Sequence, residues 1–266
     1  MADYVHGYSG TEGGRLADQA AVLTELLHHG VRYPAGSRVL EAGCGVGAQT
    51  VILAGNSPEA AFTSVDVSPD SLSEATRRVY AAGHTNVTFA RADIHALPFP
   101  EGYFHHVFVC FVLEHLPDPG RALRGLARVL APGGTLTVIE GDHGSAYFHP
   151  DGAAARRAIG CLVELQRRAG GDAELGRALY PLLAGAGYRD VVVSPCPVYV
   201  DGSRPDLIDG FTRRTFIAMV EGIGDRAVAD GLIDADTFAA GLRDLERTAT
   251  ADGSFSYMFF KAVAVR

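Results

Sequence analysis

The stretch VLEAGCGVGAQT, Val39–Thr50, constrains the fold of this chain more than any other segment. An apolar run ends on an acid, and glycines then stand at alternate positions, Gly43, Gly45 and Gly47. Glycine serves where the backbone must take positive φ or approach another group closely. Placed after a buried strand and before a helix-forming run, such a turn aims backbone N–H groups at a ligand. Taken alone, GCGVGA fits the G-x-G-x-x-A dinucleotide pattern, with Asp66 about twenty residues on to accept ribose hydroxyls. A nicotinamide- or flavin-binding turn and a turn for another nucleoside cofactor both stand at this point.

The segments around the turn predict the architecture. Ser37–Ala42, Ala61–Val67, Asn86–Ala92, Tyr103–Val112 and Thr135–Glu140 read as strands, and helix signals fall between most of them. Ser68 and Pro69 mark the start of one helix, and Gly83 its stop. Pro132, Gly133 and Gly134 end another, whose apolar stripe runs Ala122, Leu123, Leu126, Ala127, Leu130. Strand and helix in alternation predict an α/β, Rossmann-like, doubly wound and mostly parallel seven-stranded sheet with helices on both faces. An N-terminal helix, Thr11–His29, precedes it, with Gly30 as its stop. After the fifth strand come helices over Asp151–Ala169 and Glu174–Ala186, a strand over Tyr188–Val200 and a helical insertion. The last residues, SFSYMFFKAVAVR, alternate like an exposed edge strand. A single domain, 1–266, is expected: lid 1–34, core 35–200, helical insert or cap 201–250 and closing strand 251–266.

Composition narrows the partners. A net charge of −8 argues against a generic nucleic-acid binder. The longest apolar run, Val107–Leu113, is too short to cross a bilayer. MADYVHGYSGTEGG lacks a basic start and an apolar stretch, and the four scattered cysteines form no CxxC pair. A cytoplasmic protein with buried thiols is therefore expected. The partner class is a small molecule, with a homodimer compatible.

Five segments in order carry a resemblance: LEAGCG with Glu41, VDVSPDSL with Asp66, RADIHALPF with Asp93, VFVCFVLEHLPDP, and RVLAPGGTLTVIE. Together they resemble the class I S-adenosylmethionine-dependent methyltransferases, in the small-molecule branch similar to ubiquinone/menaquinone methyltransferases. The resemblance is close over Val39–Glu140. It implies S-adenosyl-L-methionine as cofactor, S-adenosyl-L-homocysteine as product, and direct in-line displacement onto a small acceptor, aromatic or natural-product in kind. It implies that Gly43 and Gly45 leave room for the methionine and ribose, with free amides. Glu41 then acts toward the methionine ammonium, Asp66 takes the ribose hydroxyls, and Asp93 takes the adenine amino group. Val67 and Ile94 flank the ring, and Cys44, Gln49, Ala92 and Phe111 complete the cofactor set. In such enzymes an N-terminal segment folds over the cofactor, which makes Tyr8, Arg15 and Gln19 lid contacts.

Among ten histidines, His28 and His29 fall at a helix C-terminus, where the helix dipole favours positive charge. His143 lies after the fifth strand in a polar loop with Asp142, Tyr147 and His149, and is the candidate base. Asp142, His143 and His149 match no strong metal-ligand spacing, and no metal is expected. The candidate acceptor pocket joins Tyr8, His143 and Tyr147 to Phe211, Phe216 and Met219 of the insert. Two rivals stand beside methyl transfer: a protein of this fold that binds the cofactor without transferring methyl, and an NAD(P)-dependent oxidoreductase.

Overall fold

Apolar side chains on both faces of its central strands dictate a sheet that is covered twice. The computed structural model describes residues 23–266; the expected lid residues Tyr8, Arg15 and Gln19 lie outside the described residues. Residues 23–28 are helical (α1). There follow β1 (Arg38–Ala42), α2 (Ala48–Asn56), β2 (Ala61–Asp66), α3 (Pro69–Ala81), β3 (Val87–Arg91) and β4 (Phe104–Cys110). A 3₁₀ turn at Leu113–His115 leads to α4 (Pro119–Val129), β5 (Leu130–His149) and α5 (Ala153–Arg168). A second 3₁₀ turn, Leu175–Ala178, precedes α6 (Leu179–Gly185) and β6 (Arg189–Asp201). The insert comprises α7 (Pro205–Leu207), a π-helix (Ile208–Ile217), α8 (Ala218–Glu221), α9 (Gly224–Ala229) and α10 (Ala235–Thr248), and β7 (Ser254–Val265) closes the chain.

The seven strands form one sheet in the order β3-β2-β1-β4-β5-β7-β6. The strands β1 to β5 are parallel to one another, and β7 runs antiparallel to both β5 and β6. The chain winds outward from β1 to β3, then restarts at β4 on the other side of β1. That reversal opens a crevice at the carboxyl ends of β1 and β4, the usual ligand position in such sheets. Along β4, Val107 and Val109 pack with α4 and α6, while Phe108 and Cys110 pack on the opposite layer with α1, α5 and the insert. Helix starts follow local chemistry: the Ser68 hydroxyl accepts Ser71 N–H (3.2 Å) before Pro69, and Asp118 accepts Arg121 N–H (2.8 Å) before Pro119.

Three expectations are corrected. β7 is no edge strand; it is paired on both sides, and β3 and β6 are the edges. Its alternation arises because Phe255, Tyr257 and Phe259 turn toward the insert while Phe260, Ala262 and Ala264 pack into the core on the opposite face. The polar loop after Glu140 is instead a continuation of β5, with its register against β7 shifted between Asp142 and Tyr147. Ser145 carries the ladder across this bulge, its hydroxyl donating to Asp142 O (2.6 Å) and accepting Met258 N–H (2.9 Å). Lastly, His28 is not a cation at the α1 C-terminus. It is buried, which lowers its pKa to about 4, and it bonds Gln49. The positive charge there belongs to Lys261, the chain's one lysine, which donates to His29 O (3.0 Å) and Leu27 O (3.4 Å).

Candidate active site

Each glycine of the β1–α2 turn answers a separate demand. All three take positive φ, 79° at Gly43, 51° at Gly45 and 78° at Gly47. A Cβ at Gly47 would stand 2.8 Å from Ala75 Cα, so this glycine lets α2 approach α3. A Cβ at Gly43 would overlap the Val112 side chain. At Gly45 a Cβ would meet nothing within 4 Å; this glycine faces open space, and its missing side chain leaves room for a ligand. The first two hold the turn together.

The amides of the turn differ from expectation. Gly43 and Cys44 donate to Val65 O (2.8 and 3.0 Å), and Gly45 donates to Asp66 Oδ2 (2.9 Å). They are therefore not free for a cofactor, because the turn must close against β2 before it can present anything. Asp66 accepts Ser68 N–H with its other oxygen (2.9 Å). Each oxygen of this partly exposed carboxylate retains acceptor capacity, directed from the end of β2 beside the open face of Gly45. Those residues fit a nucleoside with free ribose hydroxyls.

Glu41 sits under the turn. It is buried, and its Oε2 accepts both Thr50 (2.7 Å) and Ser64 (2.6 Å) hydroxyls. Burial raises its pKa from 4.5 to about 7. A carboxyl that binds its proton more tightly when folded contributes fully below the unfolded value and loses that contribution as pH rises through the folded one. Stability should thus fall between pH 4.5 and 7 on its account. Glu41→Gln is expected to remove that slope, gaining on the wild type by up to about 3 kcal/mol between pH 5 and 8. Urea unfolding at both pH values measures it; parallel pH profiles for the two proteins would count against the assignment.

Other expected cofactor residues line the same end of the sheet. Asp93 is exposed and accepts His95 N–H (2.8 Å), with Ala92 and Ile94 buried on either side. Val67 is 38% exposed. Cys44 is buried, which pushes its thiol pKa up. Gln49 is engaged by His28. Phe111, just past β4, holds a φ of 57°, a conformation costly for an aromatic residue, and stacks at a tilt on Phe259 (5.5 Å).

On the β5 side the sequence singled out Asp142 and His143 but not Glu140, Arg177 or Tyr257, the groups that build their surroundings. The Glu140 Oε1 accepts Val112 (3.1 Å) and Leu113 (2.8 Å) N–H groups, so the middle of β5 fixes the residue that covers Gly43. Burial, then the nearby Glu114 carboxyl, pushes the Glu140 pKa well above the ordinary range. Asp142 is buried and paired in bidentate fashion with Arg177 (both 2.7 Å). His143 is buried beside Tyr257, Nδ1 to hydroxyl 2.7 Å, and its backbone N–H donates to Ala173 O (2.9 Å). Gly141 makes room for that hydroxyl, which a Cβ there would overlap. The sequence signal was only the alternation of β7, which does not distinguish Tyr257 from Phe255 or Phe259.

His143 also borders a cleft of about 310 Å³ between β5 and α5, walled by Ala146, Phe148, Ile159 and Val163, with Arg156 at its rim. That volume lies at the lower end of small-molecule sites. Of the residues expected to join it, Tyr147 is 65% exposed and points away from the core. Phe211, Phe216 and Met219 are buried, and none lines this cleft. Among the described residues no group of three His, Cys, Asp or Glu side chains is placed to hold a metal, and no helix is long and apolar enough to cross a membrane.

Comparison with known proteins agrees with this geometry. The family profile described as Methyltransferase domain matches residues 40–138. Trans-aconitate 2-methyltransferase of Methylobacterium nodulans is 33% identical over 228 residues, covering 78% of this chain and 84% of that protein. The 27-O-demethylrifamycin SV methyltransferase of Amycolatopsis mediterranei is 34% identical over 134 residues, 50% of this chain and 49% of that enzyme. The chain spans about half the length of several such curated relatives. Among solved structures, the [4+2]-cyclase SpnF aligns over 93% of this chain and 79% of its own, with TM-score 0.55 and 21% identity, a likeness of fold. With the Rossmann-like sheet and a relative matched over most of its length, the chain belongs to the class I S-adenosylmethionine-dependent methyltransferase family.

Proposed function

We propose that this protein transfers a methyl group from S-adenosylmethionine to a small organic acceptor approaching from the β5 side. The observation that carries the reading is the Asp66 carboxylate, bonded to Gly45 and standing beside the open face of that glycine at the crevice. In this reading Asp66 holds the ribose hydroxyls, Asp93 the adenine amino group, and Gly45 lies against the ligand. When bound, the cofactor supplies an activated methyl group on a sulfonium centre. The chain's own part is alignment and exclusion of water; holding reactants in attack geometry is worth roughly 7–11 kcal/mol in favourable systems. The four cysteines stand as separate buried thiols, which supports a reducing, cytoplasmic setting, and the single sheet supports one domain.

The cyclase SpnF shares the fold, so fold alone does not establish transfer. Incubation with methyl-labelled S-adenosylmethionine and a panel of phenols, carboxylic acids and amines is expected to label at least one small molecule. Cofactor binding with no label transferred to any acceptor or cell extract would favour a protein that binds without transferring.

A further inference from the structure

Gly160 stands in the middle of α5 without the structural reasons that place glycines elsewhere in this chain. A glycine inside a helix costs stability against alanine, because it gives up more chain freedom on folding. Gly241 of α10 has its explanation: a Cβ there would stand 2.6 Å from Ala154 O and 2.9 Å from Ala158 Cβ, so its absence lets α10 lie against α5. Gly144 is bare because a Cβ would run into Glu174. At Gly160 the backbone is helical, so no positive φ calls for glycine. A Cβ there would meet nothing within 4 Å among the described residues. What it would enter is the cleft of about 310 Å³ between α5 and β5, which Gly160 lines.

The helix side of that cleft is a single stripe, Arg156, Ile159, Gly160, Val163 and Glu164, at the spacing of one helix face. It runs roughly 12 Å along α5, with Gly160 at its centre and Ala146 and Phe148 opposite. The charges at its two ends are already matched. Arg156 bonds Asp151 (2.7 Å) and lies over the Phe148 ring (5.2 Å), and Glu164 accepts from Arg167 (2.7 Å) and Arg168 (2.8 Å). What remains for a guest is apolar wall. Along β5 the cleft starts three residues past Glu140, the carboxylate that fixes Val112 over Gly43. We propose that this cleft holds the uncharged, apolar part of the methyl acceptor, the part that does not react, and that Gly160 sets its size by omitting a side chain. The occupant rests on the methyltransferase reading. A cleft of this volume suits a small ring system or a short chain and covers little of the surface that a second protein needs.

The test is binding of N-phenyl-1-naphthylamine, an uncharged apolar fluorophore, to the full chain with S-adenosylhomocysteine present. The probe is expected to saturate one site on the wild type and to inhibit label transfer from S-adenosylmethionine to the acceptors of a cell extract. The anion 1-naphthoate should bind at least tenfold more weakly. Gly160→Leu should weaken the probe tenfold or more and leave the thermal shift by S-adenosylhomocysteine unchanged. Gly160→Ala, which restores helix propensity and adds one methyl group, should raise the melting temperature by about 2 °C and weaken the probe to a lesser degree. A lower melting temperature in Gly160→Ala would give the glycine a packing role and overturn the proposal. So would no probe binding to the wild type, wild-type affinity in Gly160→Leu, equal affinity for 1-naphthoate, or label transfer indifferent to the probe. An equal loss of probe in Val192→Ser, which alters a 63% exposed valine on β6, would also overturn it. A wild-type dimer that Gly160→Leu splits in sedimentation would assign the cleft to a second copy and overturn it too. Failure of S-adenosylhomocysteine to stabilise the protein, with the probe behaving as expected, would count against the methyltransferase reading alone.

Discussion

Asp66→Ala is expected to weaken S-adenosylhomocysteine binding a hundredfold or more. The carboxylate does two tasks at once. It accepts the Gly45 and Ser68 N–H groups, shaping the turn and the entry to α3, and it offers its remaining lone pairs to ribose hydroxyls. Hydrogen bonds to a charged group contribute about 1.5–3 kcal/mol each, so losing two gives the stated range. The apoprotein should lose less, about 1–3 kcal/mol, because water can reach the two exposed-side amides. Asp66→Asn keeps one acceptor oxygen and should fall between. Titration calorimetry and urea unfolding separate the two effects. An Asp66→Ala protein with wild-type affinity would mean that the cofactor binds elsewhere.

The second large effect is expected in the insert. Phe211→Ala should cost about 3–5 kcal/mol of stability, or roughly 10 °C in melting temperature. Phe211 lies on the π-helix, 1% exposed, with its ring 5.8 Å from Tyr257, 5.9 Å from Phe259 and 6.1 Å from Phe255. It fastens the insert to β7 and braces the face from which Tyr257 reaches His143. Tyr147→Ala, at a 65% exposed position on β5, should change stability by less than about 0.5 kcal/mol. Equal losses in the two variants would mean that the insert is a detachable cap and no part of the core.

The parallel half of the fold was legible because its signals are local. Gly43, Gly45 and Gly47 announce a turn that only glycine can make, and Ser68-Pro69 and Asp118-Pro119 announce helix starts by chemistry contained within four residues. The position of β7 was not legible. Its neighbours β5 and β6 lie far back along the chain, and small residues such as Ser254 and Ser256 look the same at an edge as between two strands. The extension of β5 was hidden for a related reason: Ser145 replaces backbone partners at the bulge, and glycines and acids there read as a loop. At the site, the sequence named Asp66 and His143 through their place at strand ends. It could not supply Tyr257 or Lys261, whose partners stand more than a hundred residues away. Nor could it show that the turn amides are spent on β2, since that follows from how closely Val65 O approaches Gly43 and Cys44.

The most direct test of the account is a pair of thermal melts with S-adenosylhomocysteine and with NAD. A ligand at a hundred times its dissociation constant adds about 2.7 kcal/mol, several degrees for a chain of this size. S-adenosylhomocysteine is expected to raise the melting temperature by that amount and NAD to leave it unchanged. Stabilisation by NAD with none by S-adenosylhomocysteine would contradict the account.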